Sequence, residues 1–259
     1  MIGGNYSKGI VFQSVINNKK MTKEDLIEVY EDTKRVCENI IPPISYKIGR
    51  LIFGSTDNKN GKIIIEPMDT ISALEKYIPY GKTAVLNMAS SIKKGGGVVK
   101  GAMAQEECLF RCSNLFTIQD EYYPLDIHEF IYSHDVTFVK SADFKPISIK
   151  ADVITIAAPN INKQNKYYNP KDFETLSYEE QINMKINQMF TYAHGQKCRN
   201  IILGAWGCGV FKNDPTVIAN YFKDILDVKR HLFDNIVFAV INDKNSVGNN
   251  YQIFNDILK

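Results

Sequence analysis

Four short runs in this chain are apolar with little alternation: KTAVLNM at 82–88, DVITIAA at 152–158, IILGA at 201–205 and NIVFAVI at 235–241. A strand with one wet face alternates apolar and polar residues, so runs like these belong to a sheet covered on both faces. The segments between them have helical periodicity. Leu26, Val29, Tyr30 and Val36 recur on one side of a stretch from about 22 to 37, which Thr22 and Asp25 open as a capping pair. DTISALEKYI at 69–78 carries Asp69 as its cap, and 178–194 lines up Ile182, Ile186, Met189 and Phe190. Pro215 starts a further helix to about Leu226, and Val247, Tyr251, Phe254, Ile257 and Leu258 mark a final one. A shorter strand is expected at Val136–Val139, a turn at 57–61 (DNKNG) before the β-branched run Ile63–Ile65, and a polar surface loop at 160–172. This rhythm predicts a three-layer α/β/α fold with a mixed central sheet. Residues 1–50 read as a helical N-terminal extension packed on the core, and 51–259 as the main domain.

Composition narrows the ligand. With 44% apolar and 23% charged residues, and 14 Phe and 14 Tyr, the chain has ample material for a core. A net charge of +2, with basic residues scattered in pairs such as Lys19-Lys20 and Lys93-Lys94, does not make a nucleic-acid stripe. The histidines at 128, 134, 194 and 231 and the cysteines at 37, 108, 112, 198 and 208 show no metal-ligand spacing. The odd number of cysteines fits a reducing compartment, MIGGNYSKGIVF has no basic-then-apolar signal pattern, and no apolar run reaches spanning length. The expected setting is cytoplasmic, with no membrane partner.

Two glycine-rich segments carry the candidate chemistry. Gly95, Gly96 and Gly97 come just after the LNMASSI strand end, and each ordered glycine costs roughly 1 kcal/mol relative to alanine. The segment lacks both the dinucleotide and the P-loop spacing, which leaves a flexible turn or a loop lying against a ligand. Gln105, Glu106 and Glu107 come next, at the start of a helix predicted over about 102–112. Neighbours on a helix diverge by about 100°, so the two glutamates serve different atoms. One can hold a sugar hydroxyl while the other addresses an anomeric carbon, where a carboxylate suits proton transfer and an oxocarbenium-like state. Alternatively, both simply complement the helix dipole. In LGAWGCGVFKNDP at 203–215, Gly207 to Phe211 lie between a buried strand and a helix, where backbone amides can cradle a diphosphate. Trp206 reads as a core residue, and Phe211, beside polar Lys212-Asn213-Asp214, as the better ligand contact.

The stretch GGGVVKGAMAQEE at 95–107 resembles the signature of the microbial type of poly(ADP-ribose) glycohydrolase: GGG, six to eight residues, then QEE. CLFRCSNL at 108–115, YSHDVTFVK at 132–140, ITIAAPN at 154–160 and LGAWGCGVFKNDP succeed it in that family's order, so the similarity covers roughly 60–258. His134 departs from a common proline, and Met88-Ala89-Ser90 is a conservative variation. The resemblance implies a macrodomain-derived fold that hydrolyses the terminal ribose–ribose bond of poly(ADP-ribose) and releases ADP-ribose without metal or cofactor. It implies Glu107 as the catalytic acid and base, and Glu106 and Asn87 as partners of the distal ribose. Gly95, Gly96, Gly97 and Gln105 would line the ribose and diphosphate, Gly207, Cys208, Gly209 and Val210 would cradle the diphosphate, and Phe211 would pack over the ligand. Removal of mono-ADP-ribose from a modified protein, and ADP-ribose binding without cleavage, are the competing functions.

Overall fold

The computed structural model describes residues 21–49, 61–242 and 249–259. The turn expected at 57–61 lies, apart from Gly61, outside the described residues, as does Val247 of the final helix. The strands are β1 (Ile44–Ile48), β2 (Lys62–Glu66), β3 (Thr83–Met88), β4 (Phe130–Lys140), β5 (Pro146–Ile156), β6 (Asn200–Leu203) and β7 (Asn235–Ala239). They form one seven-stranded sheet in the order β1-β4-β5-β3-β6-β7-β2. From β5 to β2 every pairing is parallel, whereas β1, β4 and β5 pair antiparallel. The predicted mixed sheet is therefore present.

Burial tracks the side-chain alternation of each strand. Ala84 and Leu86, Ile154 and Ile156, Ile201 and Leu203, and Ile236 and Phe238 enter one core. That core is closed by α4 (Tyr178–Gly195), α5 (Pro215–Lys229) and α6 (Asn250–Leu258). Val85, Val153, Ile202 and Val237 point the other way, toward α1 (Lys23–Cys37), α2 (Thr70–Tyr77) and α3 (Gln105–Cys112). Water reaches neither face of β3, β6 and β7, which is why their sequences do not alternate. The capping pair in α1 is realised: Asp25 N–H donates to Thr22 Oγ1 at 3.2 Å and Thr22 N–H to Asp25 Oδ2 at 2.8 Å. Among the described residues no helix is long and apolar enough to cross a membrane.

Three strands differ from the sequence expectation: β5 starts at Pro146 where the apolar run predicts Asp152, because its first five residues are exposed or half-buried. β1 has no counterpart among the expected elements, and β4 is 11 residues long where the pattern predicts Val136–Val139 alone. The register of β4 against β5 shifts between Ser133 and Val136, with Asp135 at φ +52°. This bulge interrupts the apolar pattern and hides the first half of the strand. β1 sits at the sheet edge, where Ile44 is exposed and the burial pattern is weak. The base of the sheet is tied by Asp152, which is buried. Its carboxylate accepts from Tyr132 Oη at 2.6 Å and from the Asp135 amide at 3.1 Å, and it pairs with Lys82 Nζ at 2.8 Å.

Polar clamps fix α1 to the rest. Arg111, fully buried on α3, donates from Nε to Leu26 O at 3.0 Å and from Nη2 to Ala102 O at 2.6 Å. Lys140 Nζ donates to Val29 O at 3.0 Å and Thr33 Oγ1 at 2.8 Å, and pairs with Asp32 at 2.8 Å. On the other face Phe238 is buried between Phe222 and Phe254, with centroids 5.0 and 5.8 Å away. Phe238→Ala is expected to cost about 3–5 kcal/mol, through lost transfer energy and a residual cavity, read as a lower urea midpoint.

Candidate active site

The parallel strands β5, β3, β6 and β7 end side by side, and the cleft opens beyond their carboxyl ends, where sheets of this kind bind ligands. It has a volume of about 620 Å³ and is lined by both glycine segments and both glutamates. Gln105 fastens the floor. Its Oε1 accepts the Met88 amide at 2.9 Å, while Nε2 donates to Leu86 O at 2.6 Å and Thr70 Oγ1 at 3.2 Å. Both ends of the amide thus hold α3 against the tip of β3.

With α3 anchored, the two glutamates diverge toward different loops. Glu107 Oε1 accepts the Gly97 amide at 2.7 Å and Oε2 the Ala104 amide at 2.9 Å. Ala104 is the N-cap of α3 and has no side-chain acceptor, so the carboxylate three residues on does the capping. Glu106 Oε2 accepts the Ser90 amide at 2.9 Å, and its Oε1 is buried with no partner. Burial pushes the Glu106 carboxyl up to about 8; the Ser90 amide opposes this and the neighbouring Glu107 adds to it. Asn87 is completely buried, with Nδ2 donating to Thr155 Oγ1 at 3.2 Å and Oδ1 unpartnered. Glu106, in the lining of the cleft beside Glu107, and Asn87, outside that lining, therefore each keep one buried polar atom unsatisfied.

Gly96 has to be glycine. Its φ is +55°, and a Cβ there would lie 2.5 Å from Glu107 Oε1 and 3.0 Å from Glu106 Oε2. Gly95 is buried against the Phe110 ring, away from the lining of the cleft, and supports the turn from behind. In the second loop Gly207 has φ +77°, and a Cβ would meet Asn213 Nδ2 at 2.5 Å and Ala158 at 2.7 Å. Asn213 holds that turn, with Nδ2 donating to Pro159 O at 2.9 Å and Gly207 O at 3.0 Å. Gly207, Gly209, Val210 and Phe211 line the cleft, and Phe211 is half-buried against the edge of the core. The Cys208 side chain instead points into the core, its Sγ donating to Trp206 O at 3.6 Å, so only its backbone is on the loop. Trp206 is buried as expected, with Nε1 donating to Ile156 O at 3.2 Å.

Both glutamates, Asn87 and both glycine loops are legible in the sequence, whereas Ser90 and Asn213 are not. Each of these two acts through a hydrogen bond to a segment distant in sequence, Ser90 to Glu106 and Asn213 to Pro159, which leaves no spacing signature. Among the described residues no three His, Cys, Asp or Glu side chains gather into a metal-holding group.

The buried Glu106 has a consequence for stability. Its folded pKa is raised, so between the unfolded value near 4.5 and about 8 the unfolded chain loses this proton while the folded one keeps it. Stability from this group is full below that window and falls as pH rises through it, on the order of 1 kcal/mol per pH unit. Urea titrations at pH 5 and 8 are expected to show this loss in the wild type and a smaller one in Glu106→Gln.

The geometry agrees with what similarity to other proteins shows. Residues 17–141 match the family model of the microbial-type PARG catalytic domain. No curated protein sequence matches the chain. Among solved structures, poly(ADP-ribose) glycohydrolase from Thermomonospora curvata aligns with a TM-score of 0.74 at 21% identity, over 90% of this chain and 99% of that one. The enzyme from Deinococcus radiodurans in complex with ADP-ribose aligns with a TM-score of 0.68 at 24% identity, over 91% of this chain and 90% of that one. Residues 17–141 thus match the model of the microbial-type PARG catalytic domain, and the chain as a whole has the fold of these solved glycohydrolases.

Proposed function

We propose that the chain hydrolyses the terminal ribose–ribose bond of poly(ADP-ribose), releasing ADP-ribose, with Glu107 as general acid and base. The observation that carries this reading is the trio at the end of β3 and the start of α3. Asn87 Oδ1 and Glu106 Oε1 are buried and unpartnered, and Glu107 is held by two backbone amides beside them. Hydroxyl groups of a ribose would satisfy the first two, and a carboxyl fixed from both sides suits proton transfer at the neighbouring anomeric carbon.

In the proposed reaction Glu107 gives its proton to the departing 2′-oxygen as the bond to the distal anomeric carbon breaks. The resulting carboxylate takes a proton from the water whose oxygen bonds to that carbon. Glu106, which keeps its proton up to about pH 8 through burial, orients the ribose. Gly96 and Gly97 lie against the sugar, and the backbone of Gly207 to Val210 holds the diphosphate. Phe211 walls the adenosine side, and Gln105 positions the helix that carries both glutamates. The substrate is the polymer or an ADP-ribosylated protein, with no nucleic acid or membrane involved. The five cysteines are free thiols, which suits the proposed cytoplasmic setting.

Glu107→Gln is expected to keep ADP-ribose affinity within about tenfold while turnover falls at least about 100-fold, since the lost group acts mainly in the transition state. Isothermal titration and product chromatography on poly(ADP-ribose) and on mono-ADP-ribosylated protein test this together. Release of ADP-ribose from the mono-modified protein alone would move the assignment to a mono-ADP-ribosyl hydrolase. Near-wild-type turnover by the variant on both substrates would sink the role of Glu107. No step uses a metal ion, so wild-type turnover is expected to persist in EDTA; loss with recovery on adding Mg²⁺ or Zn²⁺ would refute that.

A further inference from the structure

Lys93 and Lys100 stand at the two feet of the glycine turn. Lys93 O accepts the Gly96 amide at 3.0 Å, and the Lys100 amide donates to Gly97 O at 2.9 Å. Gly97 in turn holds Glu107 at 2.7 Å, so both lysines leave the backbone beside the reacting carboxylate, and both line the cleft. Lys94, next to Lys93 in sequence, is engaged elsewhere, with Asp120 at 2.6 Å and Ile118 O at 2.8 Å. Lys93 and Lys100 are exposed and make no ion pair among the described residues. The carboxylates in the same lining do not compete for them. Asp69 caps α2 through the Ile71 and Ser72 amides, and the two glutamates are held by loop amides. Met103 completes this lip, lining the cleft while 64% exposed. An unbranched thioether on a cleft rim adapts to a flat ring.

We propose that Lys93, Lys100 and Met103 form a docking lip for the leaving nucleotide, the adenosine diphosphate portion of the polymer's next unit. The proposal rests on the hydrolase reading, in which the broken bond joins the distal ribose to an adenosine 2′-oxygen. That leaving group carries a purine and a diphosphate within a few bonds of the departing oxygen. Two unpaired ammonium groups complement the diphosphate, and the methionine complements the purine. An amino-acid leaving group on a mono-modified protein offers neither, so the lip would favour polymer over protein conjugates. It takes no part in bond making; Glu107 moves the protons.

The test measures binding in a background that does not turn over. In Glu107→Gln, a dimer of ADP-ribose joined ribose to ribose is expected to bind roughly 3- to 30-fold more tightly than ADP-ribose alone, as two exposed ion pairs and one apolar contact would give. The advantage is expected to fall to the small apolar share of Met103 in Lys93→Gln/Lys100→Gln added to that background and to shrink at high salt, with ADP-ribose affinity unchanged. Equal affinity for dimer and monomer overturns the lip, as does a dimer advantage that the lysine replacements leave undiminished. Release of ADP-ribose from polymer by the wild type is scored separately. Its absence would end the hydrolase reading, while the dimer titration still decides the lip.

Discussion

Glu107 ties the glycine turn to the start of its own helix. Its carboxylate takes the amide of Gly97 on the glycine turn and that of Ala104 at the mouth of α3, and α3 is stapled to the tip of β3 by Gln105. The turn can close this tightly only because Gly96 has no side chain to strike the carboxylates. The proposed reactive group is therefore also the cap of its own helix and the latch of its own loop. Fixing a carboxylate with backbone donors removes its rotational freedom before any ligand arrives, the kind of preorganisation on which catalysis in a cleft relies.

The second loop is built by the same means with different parts. Gly207 adopts a left-handed turn against Asn213, whose amide reaches both Pro159 O and Gly207 O. A buried asparagine thus does for the proposed diphosphate side what Glu107 does for the ribose side. Both loops stand on the carboxyl ends of parallel strands, and at the opposite end of β5 Asp152 holds Tyr132 of β4 and Lys82 at the start of β3. The sheet is held by a charge network at its base and is left open for chemistry at its top.

The same physics decides which elements are legible in the sequence and which are hidden. The parallel strands are legible because burial on both faces removes the polar residues that would otherwise interrupt them. The glycine turn and the acidic pair are legible because few folds tolerate three ordered glycines, and the spacing to QEE is long. β1 at the sheet edge and the first half of β4 are illegible because ISYKI is only partly buried and the bulge at Asp135 breaks the alternation. Gln105 lines the cleft, and its amide is taken up by Met88, Leu86 and Thr70. Only the folded coordinates reveal where a long polar side chain spends its hydrogen bonds.

The clamps on α1 have a further consequence. Arg111 and Lys140 are cations withdrawn from water, and much of what solvates them comes from α1: the carbonyls of Leu26 and Val29, the hydroxyl of Thr33 and the carboxylate of Asp32. The helix acts toward the body of the fold as a bound solvent shell. It is contiguous in sequence, yet its electrostatic role is not separable, because stripping it away would leave two buried cations without most of their partners. Arg111 also grips Ala102, two residues before the amide that caps onto Glu107. A disturbance at the outermost helix therefore has a short covalent and hydrogen-bonded path to the carboxylate at the centre of the cleft.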